Sequence, residues 1–445
     1  MESKLRMLVL AASASVSAAS ASACGGPDPV VAVSPPASAT PPLAGAARPP
    51  VSVDAAAPAE PGGSASATPP GSAASPTFAD DLAFLGQYGP VHVLESPGGG
   101  RVALSAKYQG RVMTSAVDAA GQSFGWIHRD FIRAGKTGTQ FDNYGGEDRF
   151  WLGPEGGQFG LYFPPGKPFT FDAWQVPAAL QEGAWDLDSA TPTRAVFRKT
   201  MTVTNASGTA FTIAIERTVS LVEAPAADGV RGVAFETINK ITNTGKAAWK
   251  RDTGLPSVWI LAMFAPRPDA RVIVPFETGP EAKGTPIVND AYFGKVATDR
   301  LVVREDKGFL VFTCDGKERG KIGLGPARAK PMLGSYSAEA RLLTVVQYDK
   351  PKAGNPPYVN SMWEKQKLPF SGDVVNSYND GSPGPGKAPL GGFYEIETSS
   401  PGAELAPGQS LVHTHRTFHL VGEASALEPL AKRMLGVSLS DVAPR

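Results

Sequence analysis

Residues 211–221 (FTIAIERTVSL) set the apolar side chains Phe211, Ile213, Ile215, Val219 and Leu221 on alternate positions, with Thr212, Glu216, Thr218 and Ser220 between them. Successive side chains of a strand point to opposite faces, so this pattern predicts a half-buried antiparallel strand. Residues 199–204 alternate in the same way, and Asn205-Ala206-Ser207-Gly208 supplies the turn of a hairpin. Residues 258–264 (VWILAMF) are apolar throughout, as expected of a strand buried on both faces. Strands are also expected at 301–303 and 309–313, around a turn at 304–308, and at 342–348 and 393–397. Helical spacing is confined to the C-terminus. There Leu427, Leu430, Ala431, Met434 and Leu435 form one stripe, Ser425 is placed to cap, Glu428 to complete a capping box, and Gly436 to stop the helix. The expectation is an all-β chain, a large antiparallel β-sandwich with a short C-terminal helix, in one domain over residues 78–445.

Upstream the character changes. Thirteen of the 53 residues from 25 to 77 are proline and none is aromatic. Such a tract cannot bury enough surface to offset its ordering entropy, and its Pro pairs favour extended polyproline II. Residues 24–77 are therefore expected to be a disordered linker. Residues 1–23 carry Lys4 and Arg6, a small and apolar run, and Ala21-Ser22-Ala23 directly before Cys24. That is the layout of a secretory signal peptide, too short and too rich in Ser and Ala for a spanning helix. Cys24 stands where bacterial lipoprotein signals place the lipidated thiol, although Ala21 replaces the usual Leu. Lipidation at Cys24 is expected, with plain secretion as the alternative. Gly25 in place of Asp fits an outer-membrane lipoprotein of the bacterial cell envelope. With 42 basic and 42 acidic residues and no dense basic run, nucleic-acid partners are not expected.

Three stretches carry candidate chemistry. Residues 143–158 (NYGGEDRFWLGPEGGQ) are rich in glycine, aromatic and charged residues and read as a shaped loop. In it, Arg149 and Glu155 can hydrogen-bond sugar hydroxyls while Trp151 stacks on a ring, or Arg149 and Glu155 can simply pair with each other. No Gly-Lys-Ser/Thr follows, so it is not a phosphate cradle, and no cofactor is expected. On a strand, His413, His415 and His419 share one face, either as potential metal ligands with Glu395 or Glu397, or as side chains simply solvated or hydrogen-bonded on a polar sheet face. No metal is expected. Residues 376–381 (NSYNDG) offer Tyr378 and Asn379 for carbohydrate contact or for an ordinary Asx turn. Cys314, in an apolar run, reads as a core thiol.

Residues 393–401 (FYEIETSSP), 405–410 (LAPGQS) and the strand 413–420 resemble the end of aldose 1-epimerases, the galactose mutarotases. Residues 236–245 (ETINKITNTG) are similar to a hairpin of that superfamily. Tyr108-Gln109-Gly110-Arg111-Val112 and the stretch 145–157 look more like bacterial lipoproteins with a mutarotase-like fold. The resemblance implies a galactose mutarotase-like supersandwich and a sugar or polysaccharide ligand. It puts Glu397 in the place of the family's general base. The family's acid His falls at Asp290, in Asn289-Asp290-Ala291-Tyr292-Phe293-Gly294, so an active epimerase needs another acid, and His413, His415 or His419 opposite Glu397 is the candidate. Glu397, Asp290 and His415 are thus the expected catalytic set. Arg149, Trp151, Glu155, Asn289, Tyr378, Asn379 and His413 are the expected ligand contacts. A non-catalytic envelope protein is the remaining possibility.

Overall fold

The computed structural model describes residues 76–442, apart from Thr139, Lys352, Ala353 and Pro385. The signal segment, Cys24 and the linker as far as residue 75 lie outside the described residues. Among the described residues, eighteen strands form three antiparallel sheets of ten, five and three strands. The expected all-β architecture of large antiparallel sheets is what the chain adopts.

The ten-stranded sheet is built on long neighbours: Arg194–Thr204, Ala210–Val222, Arg231–Asn243, Ser410–Val421 and Leu342–Tyr348. The first two form the expected hairpin. Asn205 turns it, its Oδ1 accepting from the backbone N–H of Ser207 at 3.1 Å and of Thr209 at 2.9 Å. Phe211, Ile213, Ile215 and Val219 are buried, and Thr212 and Glu216 are half-buried on the other face.

The five-stranded sheet runs in the order Gly320–Leu324, Val375–Asn379, Tyr394–Ser399, Ser257–Phe264 and Arg149–Gly153. One of its faces is apolar: Ile260, Ala262, Phe264, Tyr394, Ile396, Val375 and Ile322 pack towards the ten-stranded sheet. Thr398, on that same inner face, has its Oγ1 2.9 Å from His413 Nε2 and 2.9 Å from His415 Nδ1 across the sandwich. Outside the ten-stranded sheet, the helix Ala424–Leu435 covers Phe418, Leu420, Leu343 and Val345 with its stripe Leu427, Leu430, Ala431, Met434 and Leu435.

One polar cluster interrupts the apolar interior. Arg217 lies on the inner face among Ile215 and Val219, with no exposed surface. It donates to Asp148 Oδ1 at 2.6 Å, Asn239 Oδ1 at 2.5 Å and Gly110 O at 2.9 Å, and Thr237 Oγ1 donates to Asp148 Oδ2 at 3.0 Å. A buried charge is tolerated when paired and hydrogen-bonded in this way. The cluster ties the large sheet to the residue just before the strand Arg149–Gly153.

Several local expectations are corrected. Residues 143–158 are not simply a loop, because Arg149–Gly153 is a strand whose five residues are all buried. Helices also occur outside the C-terminus. Phe78–Gly86 is capped by Thr77, with Asp80 completing the box, and short helices occupy Arg129–Ala134 and Ala178–Gln181. The C-terminal helix has Glu423 at its N-cap with no side-chain cap. Glu428 instead accepts from Ser438 Oγ at 2.5 Å and Leu439 N at 2.7 Å, closing the following turn.

The histidines are buried and hydrogen-bonded rather than solvated. His413 and His415 are buried in the sandwich, where burial pushes them down to about 3 and about 4. His419 stacks on Phe124 at 4.4 Å and is 2.9 Å from Thr344 Oγ1. A histidine held at about 4 stays neutral in the fold while the unfolded chain, at its ordinary 6.5, takes up a proton. Stability is therefore lost as pH falls through the window from 6.5 to 4. For His415 alone the loss is about 3 kcal/mol between pH 7 and 4. His415→Gln is expected to narrow its stability gap to the wild type over that window, read from urea unfolding at each pH. A gap that stays constant would contradict the neutral, buried state. Cys314 is fully buried, and its thiol is pushed up to about 12 by burial, which makes it a core thiol rather than a nucleophile.

Candidate functional site

In antiparallel pairs, residues directly opposite share a face. Arg149 is opposite Leu261, Leu261 opposite Glu397, and Glu397 opposite Asn376. Trp151 is opposite Trp259, and Tyr378 is opposite both Glu395 and Lys321. The face of the five-stranded sheet turned away from the core therefore carries Arg149, Trp151, Trp259, Lys321, Tyr378, Glu395 and Glu397. Alternation makes this separation, since each of these strands sends every second side chain into the core.

Over this face lies a cleft. Its walls are aromatic: Trp151, Trp174 and Trp259 are buried, while Phe141, Phe293 and Trp363 are half-buried at its rim. Its polar side chains are Arg149, Glu155, Arg319, Lys321, Tyr378 and Glu395. The Arg149 guanidinium lies over the Trp151 ring at 3.9 Å, and its Nη2 donates to Glu395 Oε1 at 2.9 Å. Among the described residues its Nε and Nη1 have no partner, although the residue is only 2% exposed. Glu155 accepts from the Trp174 indole N–H at 2.9 Å. Tyr378 donates to Asp380 Oδ1 at 2.9 Å, and Arg319 donates to the Tyr378 oxygen at 3.3 Å.

Glu397 lies beneath the cleft. It is fully buried, and its Oε2 accepts from Lys321 Nζ at 3.0 Å and from the Trp259 indole N–H at 2.9 Å. Its position on the strand gives it the correct face, but Lys321 and Trp259 stand over it, so Glu397 holds those two side chains. Glu395, two residues earlier, reaches the cleft.

Of the other expected contacts, Arg149, Trp151, Glu155 and Tyr378 converge on the cleft. Asn379 points the opposite way from Tyr378, with its amide fixed to Glu318 O at 2.8 Å and Gly316 N at 2.9 Å. Asn289 donates to Asp373 Oδ2 at 3.0 Å, beside rather than in the cleft. Asp290 turns its carboxylate to Lys295 at 3.8 Å. His413 and His415 touch Thr398, which is adjacent in sequence to Glu397 and so lies on the other side of the sheet. The His415–Glu397 pairing that an epimerase would need is therefore not formed, because a β-strand places neighbouring residues on opposite faces.

Electrostatically, burial dominates. Desolvation raises the carboxyl of Glu155 above its ordinary value, against the nearby Lys321. Burial also pushes Glu395 up to about 8, opposed by Arg149 and assisted by the negative charge of Glu397. Lys321 is raised, because Glu397 and Glu155 outweigh its own desolvation. A carboxyl held near 8 binds its proton in the fold while the unfolded chain, near 4.5, has lost it. That costs stability as pH rises from 4.5 through 8. Glu395→Gln is expected to remove this alkaline loss, so that its stability relative to the wild type rises between pH 4 and pH 8. Thermal unfolding of both proteins at pH 4, 6 and 8 tests this, and parallel profiles would contradict it.

Sequence reasoning did not single out Lys321, Arg319, Trp174, Trp259, Trp363 or Phe293. Lys321 left one signal, a lone cation in the short strand GKIGL. Trp259 sits in a strand that is apolar on both faces, so periodicity could not separate its cleft side from its core side.

In solved structures, the chain is similar to the Slr1438 protein of Synechocystis, with 11% identity over 75% of this chain and 96% of that one and a TM-score of 0.44. It is similar to a galactose mutarotase related enzyme of Lactobacillus acidophilus, with 11% identity over 75% and 97% of the chains and a TM-score of 0.41. A galactose mutarotase-like protein of Lactobacillus casei gives 11% identity, 74% and 100% coverage and a TM-score of 0.38. Comparison with curated proteins gives no match. Residues 76–444 match the model of a family described as of unknown function (DUF6786), and the chain belongs to that family.

Proposed function

We propose that this domain binds, and in binding prepares for modification, a carbohydrate held in the cleft on the outer face of the five-stranded sheet. The observation that carries the reading is the combination of aromatic walls with unsatisfied, pre-positioned polar atoms. Arg149 Nε and Nη1 are buried donors without partners among the described residues, and the carboxyls of Glu155 and Glu395 line the same cleft. A sugar ring presents apolar C–H faces to aromatic side chains and hydroxyls that both donate and accept, so it matches both parts of this lining. Leaving such donors unpaired in a buried site is costly, and a ligand hydroxyl that pairs with them gains the difference.

A modifying activity is favoured by one feature, the raised Glu395, which can donate a proton at neutral pH and take it back. In this reading Glu395 acts at the anomeric centre or ring oxygen, while Glu397 keeps Lys321 and Trp259 in place. Calorimetric titration of the purified protein with neutral and acidic mono- and disaccharides tests binding. Polarimetry of freshly dissolved anomers with any sugar that binds tests conversion. Absence of heat with every sugar would move the domain to a structural role.

Export and tethering belong to the same proposal, supported by the basic start, the small-residue run and Cys24 after Ala21-Ser22-Ala23. A lipid on Cys24, with the domain acting in the cell envelope, predicts a diacylglyceryl mass increment on the mature N-terminal peptide. That increment is expected to vanish in Cys24→Ala, and an unmodified Cys24 in membrane-derived protein would contradict it.

A further inference from the structure

Arg319 immediately precedes the strand Gly320–Leu324 and lines the cleft together with Lys321, two residues on. Its guanidinium carbon lies 3.7 Å from the centre of the Phe293 ring. Stacking on an aromatic ring uses the flat face of a guanidinium and leaves its edge of N–H donors to bond elsewhere. One of those donors, Nε, goes to the neutral Tyr378 oxygen at 3.3 Å. Among the described residues, Arg319 has no carboxylate within ion-pair distance. The other two cations of the cleft do have one each: Arg149 has Glu395 and Lys321 has Glu397.

The neighbouring acids are already engaged. Asp380 accepts from Tyr378 and from the backbone N–H groups of Gly391 at 2.9 Å and Gly392 at 2.8 Å. Asp373 accepts from Tyr292 at 2.6 Å and Asn289 at 3.0 Å. The cleft thus holds three cations. Against them its lining sets two carboxyls, Glu155 and Glu395, both raised by burial.

We infer that the sugar taken by this cleft carries an anionic substituent, a carboxylate or a phosphate, which the free edge of Arg319 receives alongside the unpartnered Nε and Nη1 of Arg149. The inference rests on the carbohydrate reading above and narrows it from sugars in general to acidic sugars. A guanidinium fixed by stacking is pre-organised, so it recognises a planar or tetrahedral oxyanion through two parallel hydrogen bonds with little loss of side-chain freedom. A neutral hydroxyl in the same place would satisfy one donor and leave the charge unmatched.

The test is calorimetry of the full chain at low salt with three sets of ligands: glucuronate and galacturonate, glucose 6-phosphate, and neutral glucose and galactose. The expected result is that at least one acidic set binds about tenfold or more tightly than its neutral counterpart. The preference should fall to near unity in Arg319→Gln, and weaken as salt is raised. Arg319→Lys, which keeps the charge and loses the fork, should retain only part of it. The carboxylate and phosphate arms separate the two possible anions. Neutral sugars binding as tightly as acidic ones, or an acidic preference unchanged in Arg319→Gln, would overturn the inference while leaving the carbohydrate reading intact. Binding by none of the three sets would overturn the carbohydrate reading, and this inference with it.

Discussion

Arg217→Ala is expected to lower the unfolding free energy by about 3–5 kcal/mol, the usual cost of removing one partner from a buried ion pair. The mechanism is specific. Arg217 and Asp148 are both fully buried and 2.6 Å apart, so the substitution leaves the Asp148 carboxylate inside the sandwich with Thr237 as its remaining side-chain donor. It also frees the Gly110 carbonyl and Asn239 Oδ1, each of which accepts from Arg217. Urea unfolding should show a lower midpoint with an unchanged slope, and Asp148→Ala should show a loss of similar size. The double substitution should cost less than the sum, because it removes both charges together. A loss below about 1 kcal/mol for Arg217→Ala would mean that the cluster is far less isolated from water than its burial indicates. Because Asp148 directly precedes Arg149, both variants are also expected to disturb the cleft at temperatures where the domain is still folded.

Arg149→Met is expected to weaken sugar binding about 10- to 100-fold, the equivalent of one charge-assisted hydrogen bond. Methionine keeps an unbranched chain over Trp151 but removes the two unpartnered donors, Nε and Nη1, and the bond to Glu395. The fold is expected to survive, since Glu395 is already raised by burial and can take up a proton once its cation is gone. Near-ultraviolet circular dichroism checks the fold and calorimetry checks the affinity. Unchanged affinity in a folded variant would remove Arg149 from the binding site.

The extent to which the sequence exposed this molecule follows from strand geometry. Period-two runs were readable wherever one face met the core, so the hairpin turning at Asn205 and the strands at 301–313 and 342–348 appear where they were expected. The helix Phe78–Gly86 was not expected, although Thr77 and Asp80 carry its capping signal, because a nine-residue helix gives too few turns for a clear stripe. For the site, Arg149, Trp151, Glu155 and Tyr378 were legible as unusual polar and aromatic residues. The assignments of Glu397 and His415 depended on which side of a strand faces which neighbour. One step along Tyr394–Ser399 exchanges the cleft for the core, so Thr398 meets the histidines while Glu397 looks the other way. Two steps change only the depth, and this places Glu395 in the cleft and Glu397 under Lys321. Lys321 and Arg319 reach the site from a strand 76 residues before Glu397 in the chain, a pairing that no local pattern announces.

Four of the seven tryptophans, Trp151, Trp174, Trp259 and Trp363, line the cleft, so the intrinsic emission of the protein reports directly on what enters it. The most direct test of the central claim is a tryptophan fluorescence titration of the wild type and of Trp151→Ala with the sugar of highest affinity. A saturable change in emission in the wild type, greatly reduced in amplitude and shifted to higher ligand concentration in Trp151→Ala, is the result expected if the cleft is the carbohydrate site. Saturable sugar binding by calorimetry with no change in emission, and with the same affinity in Trp151→Ala, would place the ligand elsewhere on the molecule and contradict it.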